Sequence, residues 1–273
     1  MFARTSHPQI PHGHTSFVKH HIEFTGLADN SMAVMRGRLM DEVFKRCIVD
    51  SKADLENRIR MLMSLNLDDL RYPYLNEELG KLIPPSKVSY DRLLKKSSEE
   101  YTAARSLSYS FADEVRAGLP PSELLLEIRR RLGLHAGYRH GPIWIVNDFR
   151  GNNVKFPPHE LVPMLLAAMD CAHETLRARS PSLAAIAAYL GVIHAHPFDD
   201  GNGRCSRILV NILLNSDTPL GFIPLYGFMM KTIGAFLVNL RRALYFNDLP
   251  AFIGYAQEAF SVWASLSDRP VEV

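Results

Sequence analysis

The chain has 273 residues, 47% of them hydrophobic and 22% charged, and its 31 Lys+Arg against 29 Asp+Glu leave a formal charge of +2. That composition excludes a wholly disordered chain, and the near balance of charge excludes a protein that coats nucleic acid through its net field, so no nucleic-acid partner is expected. Cys47, Cys171 and Cys205 are too few and too scattered for a disulfide framework or a Cys-rich zinc module, while the length suffices for a sizeable core in one or two domains.

The opening stretch, MFARTSHPQIPHGH onward, is broken by Pro8, Pro11 and Gly13 and holds five of the eleven histidines, which reads as a loose arm without periodic burial. It lacks the apolar centre of a secretion signal, and no stretch of the chain reaches the length of about 18 apolar residues that a membrane span needs. The expected location is therefore the cytoplasm, or a host cell into which the protein is delivered, with no membrane contact. From Ser31 to Leu67, apolar steps of three and four (Met32, Met35, Leu39, Val43, Phe44, Cys47, then Leu55, Ile59, Leu62, Met63) predict amphipathic helices. Tyr72 to Val88, interrupted by Pro73, Pro84 and Pro85, reads as a connector before helices over Tyr90–Val115 and Ser122–Leu132. Ser122 is the expected N-cap of the second helix and Gly133 its stop, with Arg129-Arg130-Arg131 complementing the negative end of the helix dipole.

Between Tyr138 and Pro158 the pattern changes. Ile143-Trp144-Ile145-Val146 and Val154-Lys155-Phe156 are strand formers around a polar link from Asn147 to Asn153, which predicts one β-hairpin in a helical chain. Helical spacing resumes over Glu160–Arg177 and Ser182–Val192, again in the helix containing Ile208, Leu209, Ile212 and Leu213, and in Phe228–Leu244 and Leu249–Ser265. The expected fold is mainly α with a single hairpin. The expected division is an N-terminal arm and helical extension over residues 1–95 and a second unit over residues 96–273 that holds the hairpin and the C-terminal helices.

Reactive side chains concentrate in His194-Ala195-His196-Pro197-Phe198-Asp199-Asp200-Gly201-Asn202-Gly203-Arg204-Cys205-Ser206-Arg207. Gly201 and Gly203 allow a tight turn whose N–H groups converge on an anion, at the positive end of the helix that starts there. Arg204 and Arg207, three apart, present both guanidinium groups on one face and suit a polyphosphate. Asp200 would repel that anion unless Mg2+ lay between them. His196 is the side chain suited to taking a proton at neutral pH, and Phe198 is an apolar anchor for the loop. Each residue taken singly also has a bland reading as a loop histidine, a dipole-complementing carboxylate or a surface ion-pair partner; their succession at one helix start is what points to chemistry. A metal-dependent hydrolase using His194, His196, Asp199 and Asp200 is the competing arrangement, although a His-x-His pair closing an Ala-rich helix is an unusual ligand set.

The stretch HPFDDGNGRCSR resembles the signature of the Fic family, HxFx[DE]GNGRxxR, at every specified position. The hairpin ending in Pro157-Pro158 is similar to that family's flap, so the resemblance implies a Fic-like helical bundle with the hairpin beside the active site. It further implies transfer of AMP from ATP to a Ser, Thr or Tyr hydroxyl of a target protein. His196 is then the general base, Asp200 the Mg2+ ligand, Gly201, Asn202 and Gly203 the α-phosphate site, and Arg204 and Arg207 the β- and γ-phosphate site. Phe198 is a packing residue, and Ile143, Trp144, Ile145 and Val146 belong to the flap on which a target strand docks. Phosphorylation, phosphocholination and de-AMPylation on the same scaffold, and a nucleotide-binding module without catalysis, are the alternatives. No segment carries the [ST]xxxE[GN] pattern with which many relatives restrain the second arginine: Glu56-Asn57 follows Lys52 at the Ser/Thr position, and Glu23 is preceded by Lys19 and followed by Phe24. That leaves an antitoxin-like partner, or no restraint, as the expectation.

Overall fold

The computed structural model describes residues 15–18, 22–67, 71–147, 152–215 and 221–267; His7, His12, His14, His20 and His21 of the opening lie outside these. The helices start where a side chain or a proline satisfies the first turn. Asn30 accepts the Ala33 N–H at 3.0 Å to cap α1 (Ser31–Phe44), Ser51 caps α2 (Lys52–Ser64), and Ser89 caps the long α3 (Tyr90–Arg116). In contrast to the sequence expectation, α4 (Pro121–Arg131) begins on Pro121, whose fixed φ suits a first helical turn. Ser122 is instead tied by its N–H and hydroxyl to Asp170, at 3.0 and 2.5 Å.

Two antiparallel helices, α5 (Val162–Arg177) and α6 (Pro181–Ala195), run into α7 (Asn202–Leu214). Every residue of α6 from Ser182 to Ala195 is buried, so α6 is the axis around which α1, α5 and α7 pack. Close approach is what its small residues permit. A Cβ on Gly37 of α1 would lie 2.6 Å from Ser180 Oγ and 2.8 Å from Leu183 Cβ, so α1 can rest on the start of α6 only through a bare backbone. That contact also corrects the expected face of α1: Ala33, Gly37, Met40 and Phe44 are buried, whereas Met32, Met35 and Leu39 are about half exposed. The small-residue face wins because it brings α1 nearest to α6.

The chain then forms α8 (Leu225–Lys231), α9 (Ile233–Phe246) and α10 (Leu249–Ser267). The single helix expected over Phe228–Leu244 is thus divided at Thr232, whose hydroxyl bonds the Phe228 carbonyl at 2.7 Å and meets the Tyr255 hydroxyl at 2.8 Å. The expected connector also contains a short 3-10 helix, Glu78–Leu82, lying against α9.

The hairpin is present as β2 (Trp144–Asn147) and β3 (Asn152–Lys155), antiparallel with Trp144 opposite Lys155 and Asn147 opposite Asn152. Its other partner departs from the loose arm expected of the opening: β1 (Thr15–Phe17) pairs parallel with β3, Thr15 opposite Asn153 and Phe17 opposite Lys155, giving the order β1-β3-β2. One buried apolar cluster links α1 and α2 to α6, α7 and α10, and the boundary drawn at residue 95 falls inside α3.

Candidate active site

The loop between α6 and α7 gathers the predicted site residues. His196 closes α6 in the left-handed region (φ 45, ψ 57), a conformation that costs a non-glycine residue roughly 1 kcal/mol and needs support from its surroundings. Its N–H bonds Val192 O at 2.9 Å, and its ring lies on the Phe156 ring, centroids 3.9 Å apart and 26° from parallel. Nδ1 faces the Ile193 carbonyl at 3.4 Å; because a carbonyl only accepts, the proton sits on Nδ1 and Nε2 keeps its lone pair. Burial pushes the imidazole down to about 4, assisted by the nearby Arg139 charge and opposed by the Ile193 carbonyl and Asp200. A neutral, proton-accepting histidine at pH 7 is the consequence.

Two buried arginines hold the loop by its carbonyls. Arg139 donates Nε to His196 O at 2.8 Å and Nη2 to Pro157 O at 2.5 Å, and its own N–H reaches Pro197 O at 2.8 Å, so it ties the end of the flap to the base. Arg129 donates to His135 O and to Asp200 O, both at 2.6 Å, with its guanidinium 4.0 Å over the Phe198 ring. The sequence pattern assigns Arg129 only to the helix dipole; at 5% exposure it also holds the carbonyls of His135 and Asp200. Phe198 is fully buried, as expected of an anchor. The Asn202 amide is engaged at both ends, accepting from Phe198 N at 2.9 Å and donating to Phe198 O at 2.7 Å, so what Asn202 offers an anion here is its backbone N–H.

At the start of α7, Gly201 adopts φ +83, and a Cβ there would also stand 3.0 Å from Leu134 Cδ1. No side chain caps the helix, so the first-turn N–H groups of Asn202, Gly203 and Arg204 have no side-chain partner among the described residues at its positive end. The Asp200 side chain is exposed while its carbonyl is held by Arg129, an arrangement that fits one carboxylate ligand of a Mg2+ whose other ligands are phosphate and water. Among the described residues no group of three or more His, Cys, Asp or Glu is placed to hold a metal, so the hydrolase arrangement of His194, His196, Asp199 and Asp200 gains no support.

The two motif arginines differ. Arg204 is half-buried, with no hydrogen bond or ion pair among the described residues. Arg207 is gripped by Glu100 of α3, its Nε 3.1 Å from both carboxylate oxygens and its Nη2 2.5 Å from one of them. Burial opposes the Arg207 charge, but Glu100 more than offsets it and holds the guanidinium above its ordinary pKa. The sequence pattern identifies no glutamate for the second arginine, and the structure places Glu100 there. Glu100 follows Lys96 at the Ser/Thr position and precedes Tyr101, so the motif context is absent; only the packing of α3 against α7 brings it to Arg207.

Of the flap residues, the Ile143 side chain is buried just ahead of β2, and the Trp144 ring is half-buried under Lys155 Nζ at 5.1 Å. The side chains of Ile145 and Val146 lie outside the described set. A surface hollow of about 610 Å³ against α1, lined by Val34, Arg38 and Arg179 among others, includes none of the motif residues.

Residues 120–214 match the Fic/DOC family. A curated relative, protein adenylyltransferase fic-1 of Caenorhabditis briggsae, is 27% identical over 155 residues, which is 56% of this chain and 29% of that protein; the chain thus spans under a third of its relative's length. Among solved structures, a Fic family protein from Desulfovibrio desulfuricans G20 superposes with a TM-score of 0.56 at 19% identity, over 86% of this chain and 74% of that one. A Fic domain containing signaling protein from Bacteroides thetaiotaomicron VPI-5482 gives 0.50 at 17%, over 79% and 96%. The chain therefore shares the fold of these solved structures, and the stretch that matches the Fic/DOC family, residues 120–214, contains the complete signature from His196 to Arg207.

Proposed function

We propose that the protein is an ATP-dependent protein adenylyltransferase. The observation that carries this reading is the pairing, at one loop, of a buried neutral imidazole with an uncapped helix start, an Arg204 without a hydrogen bond or ion pair among the described residues and an exposed Asp200. Nε2 of His196 takes the proton of a Ser, Thr or Tyr hydroxyl as its oxygen attacks the α-phosphorus, and diphosphate leaves. The helix start and Arg204 neutralise the phosphates, and Arg139 and Phe156 keep the base in line. Mg2+ on Asp200 would supply further neutralisation of the phosphate oxygens. Arg204 and Gly203, both intact, favour this reaction over the other transfers of the scaffold. A target segment docks on the flap by strand addition; β1 covers the edge of β3, which directs the target to the outer edge of β2.

Glu100 fits a restraint built into the chain, since its carboxylate fills the Arg207 seat of the γ-phosphate; this removes the need for an antitoxin-like partner. The test is incubation with ATP labelled at the α- or the γ-phosphate, with a lysate as source of target. Protein-bound label from the α position alone, lost in His196→Ala, supports the reading. Label from the γ position alone assigns a kinase, and ATP binding without any transfer assigns a non-catalytic module.

A further inference from the structure

Helix α3 brings more than Glu100 to the anion end of the site. Arg92, Lys96 and Glu100 recur at four-residue steps and share a face, and α3 packs against both α7 and α8. The Lys96 ammonium lies 4.9 Å from the centroid of the Tyr226 ring, and the Arg207 guanidinium lies 5.0 Å from the same centroid. Partial burial, then the charges of Arg92, Arg207 and Arg204, hold Lys96 below its ordinary pKa, with Glu100 opposing them. Lys96 and Arg207 thus share one aromatic ring, and both oxygens of the Glu100 carboxylate are already engaged by Arg207. Like charges brought together with their hydration reduced repel one another, and an added anion relieves the repulsion. Lys96 is half-buried on a flexible stem, and a compact ammonium on such a stem serves as a point charge for phosphate without needing a fixed fork geometry.

We propose that Lys96 is a nucleotide-binding residue which, with Arg204, receives the terminal phosphate of the triphosphate while Glu100 occupies Arg207. The assignment rests on the nucleotide reading of the site given above and adds a specificity to it: Lys96 distinguishes nucleoside triphosphate from diphosphate. It also gives the phosphate chain a foothold that does not require the Glu100–Arg207 pair to open first.

The test is calorimetric titration of the full chain with ATP and with ADP, each with Mg2+, for the parent, Lys96→Met, Lys96→Arg and Arg204→Met. Methionine keeps the apolar stem against Tyr226 and removes only the charge. The expected result is an ATP Kd weakened about tenfold in Lys96→Met with ADP within about twofold, and recovery to within about threefold in Lys96→Arg. ATP binding by Lys96→Met within about twofold of the parent, with Arg204→Met weakened, overturns the role of Lys96 and leaves the nucleotide site standing. Equal weakening of ATP and ADP overturns it as well, because a packing role would move both. Absence of ATP binding in the parent and in Glu100→Gln alike overturns the nucleotide reading itself, and this proposal with it.

Discussion

Replacing Glu100 with Gln separates a restraint from a structural ion pair, because the two roles move stability and affinity in different ways. The pair is almost dry, with the Arg207 side chain 12% and the Glu100 side chain 4% exposed. Removing one partner of such a pair leaves a buried charge unmatched, a loss of about 3 kcal/mol or somewhat more. Urea unfolding should therefore show a lower midpoint. The same substitution frees a guanidinium that Glu100 holds through contacts of 3.1, 3.1 and 2.5 Å. Each hydrogen bond to a charged group is worth roughly 1.5–3 kcal/mol, so handing Arg207 to the γ-phosphate should tighten ATP binding by about 10- to 100-fold. At a ligand concentration of about 100 Kd, ATP should return about 2.7 kcal/mol to the variant, offsetting most of the lost stability. Calorimetry and urea melts with and without ATP make the comparison. Lower stability with unchanged or weaker ATP binding would refute the competition between carboxylate and phosphate, and would leave Glu100–Arg207 as a fold-holding pair.

Three further outcomes are expected. His173 and His196 are both pushed down to about 4 by burial from an ordinary 6.5, so the stability they confer by remaining neutral is complete above 6.5 and is lost as the pH falls through 4, roughly 3 kcal/mol for each. Urea midpoints measured from pH 7 to 4 should fall accordingly, and a flat profile would show that neither ring is buried as described; in Phe156→Ala the His196 ring is hydrated, so the acid limb of transfer should move from near 4 toward 6.5. Gly37→Ala should cost about 1–3 kcal/mol in a thermal melt, because the new methyl would stand 2.6 Å from Ser180 Oγ and force α1 off α6; an unchanged melt would contradict that contact.

How much of the site was legible follows from where its information resides. The signature residues are contiguous, so one helix start displays them in order, and the structure keeps His196, Asp200, Gly201, Gly203 and Arg204 at a single corner. Glu100 lies 107 residues from Arg207 in the chain, and no local pattern announces their meeting. Arg129 was misread for the same reason: a basic residue in the last turn of a helix satisfies the dipole rule whether it points to water or, as here, to the carbonyl of Asp200. On α1, spacing alone could not decide between the Met32–Met35–Leu39 stripe and the Ala33–Gly37–Met40 stripe, since both have helical period.

By itself the sequence determined the helical class, the single hairpin and the reactive loop, because periodicity, turn residues and a contiguous motif act over a few residues. Tertiary structure alone decided which face of α1 is buried, that β1 completes the flap sheet, and that Glu100 rather than solvent meets Arg207. These depend on how closely two backbones approach and on which charges burial forces together, quantities that come into being only when distant segments pack.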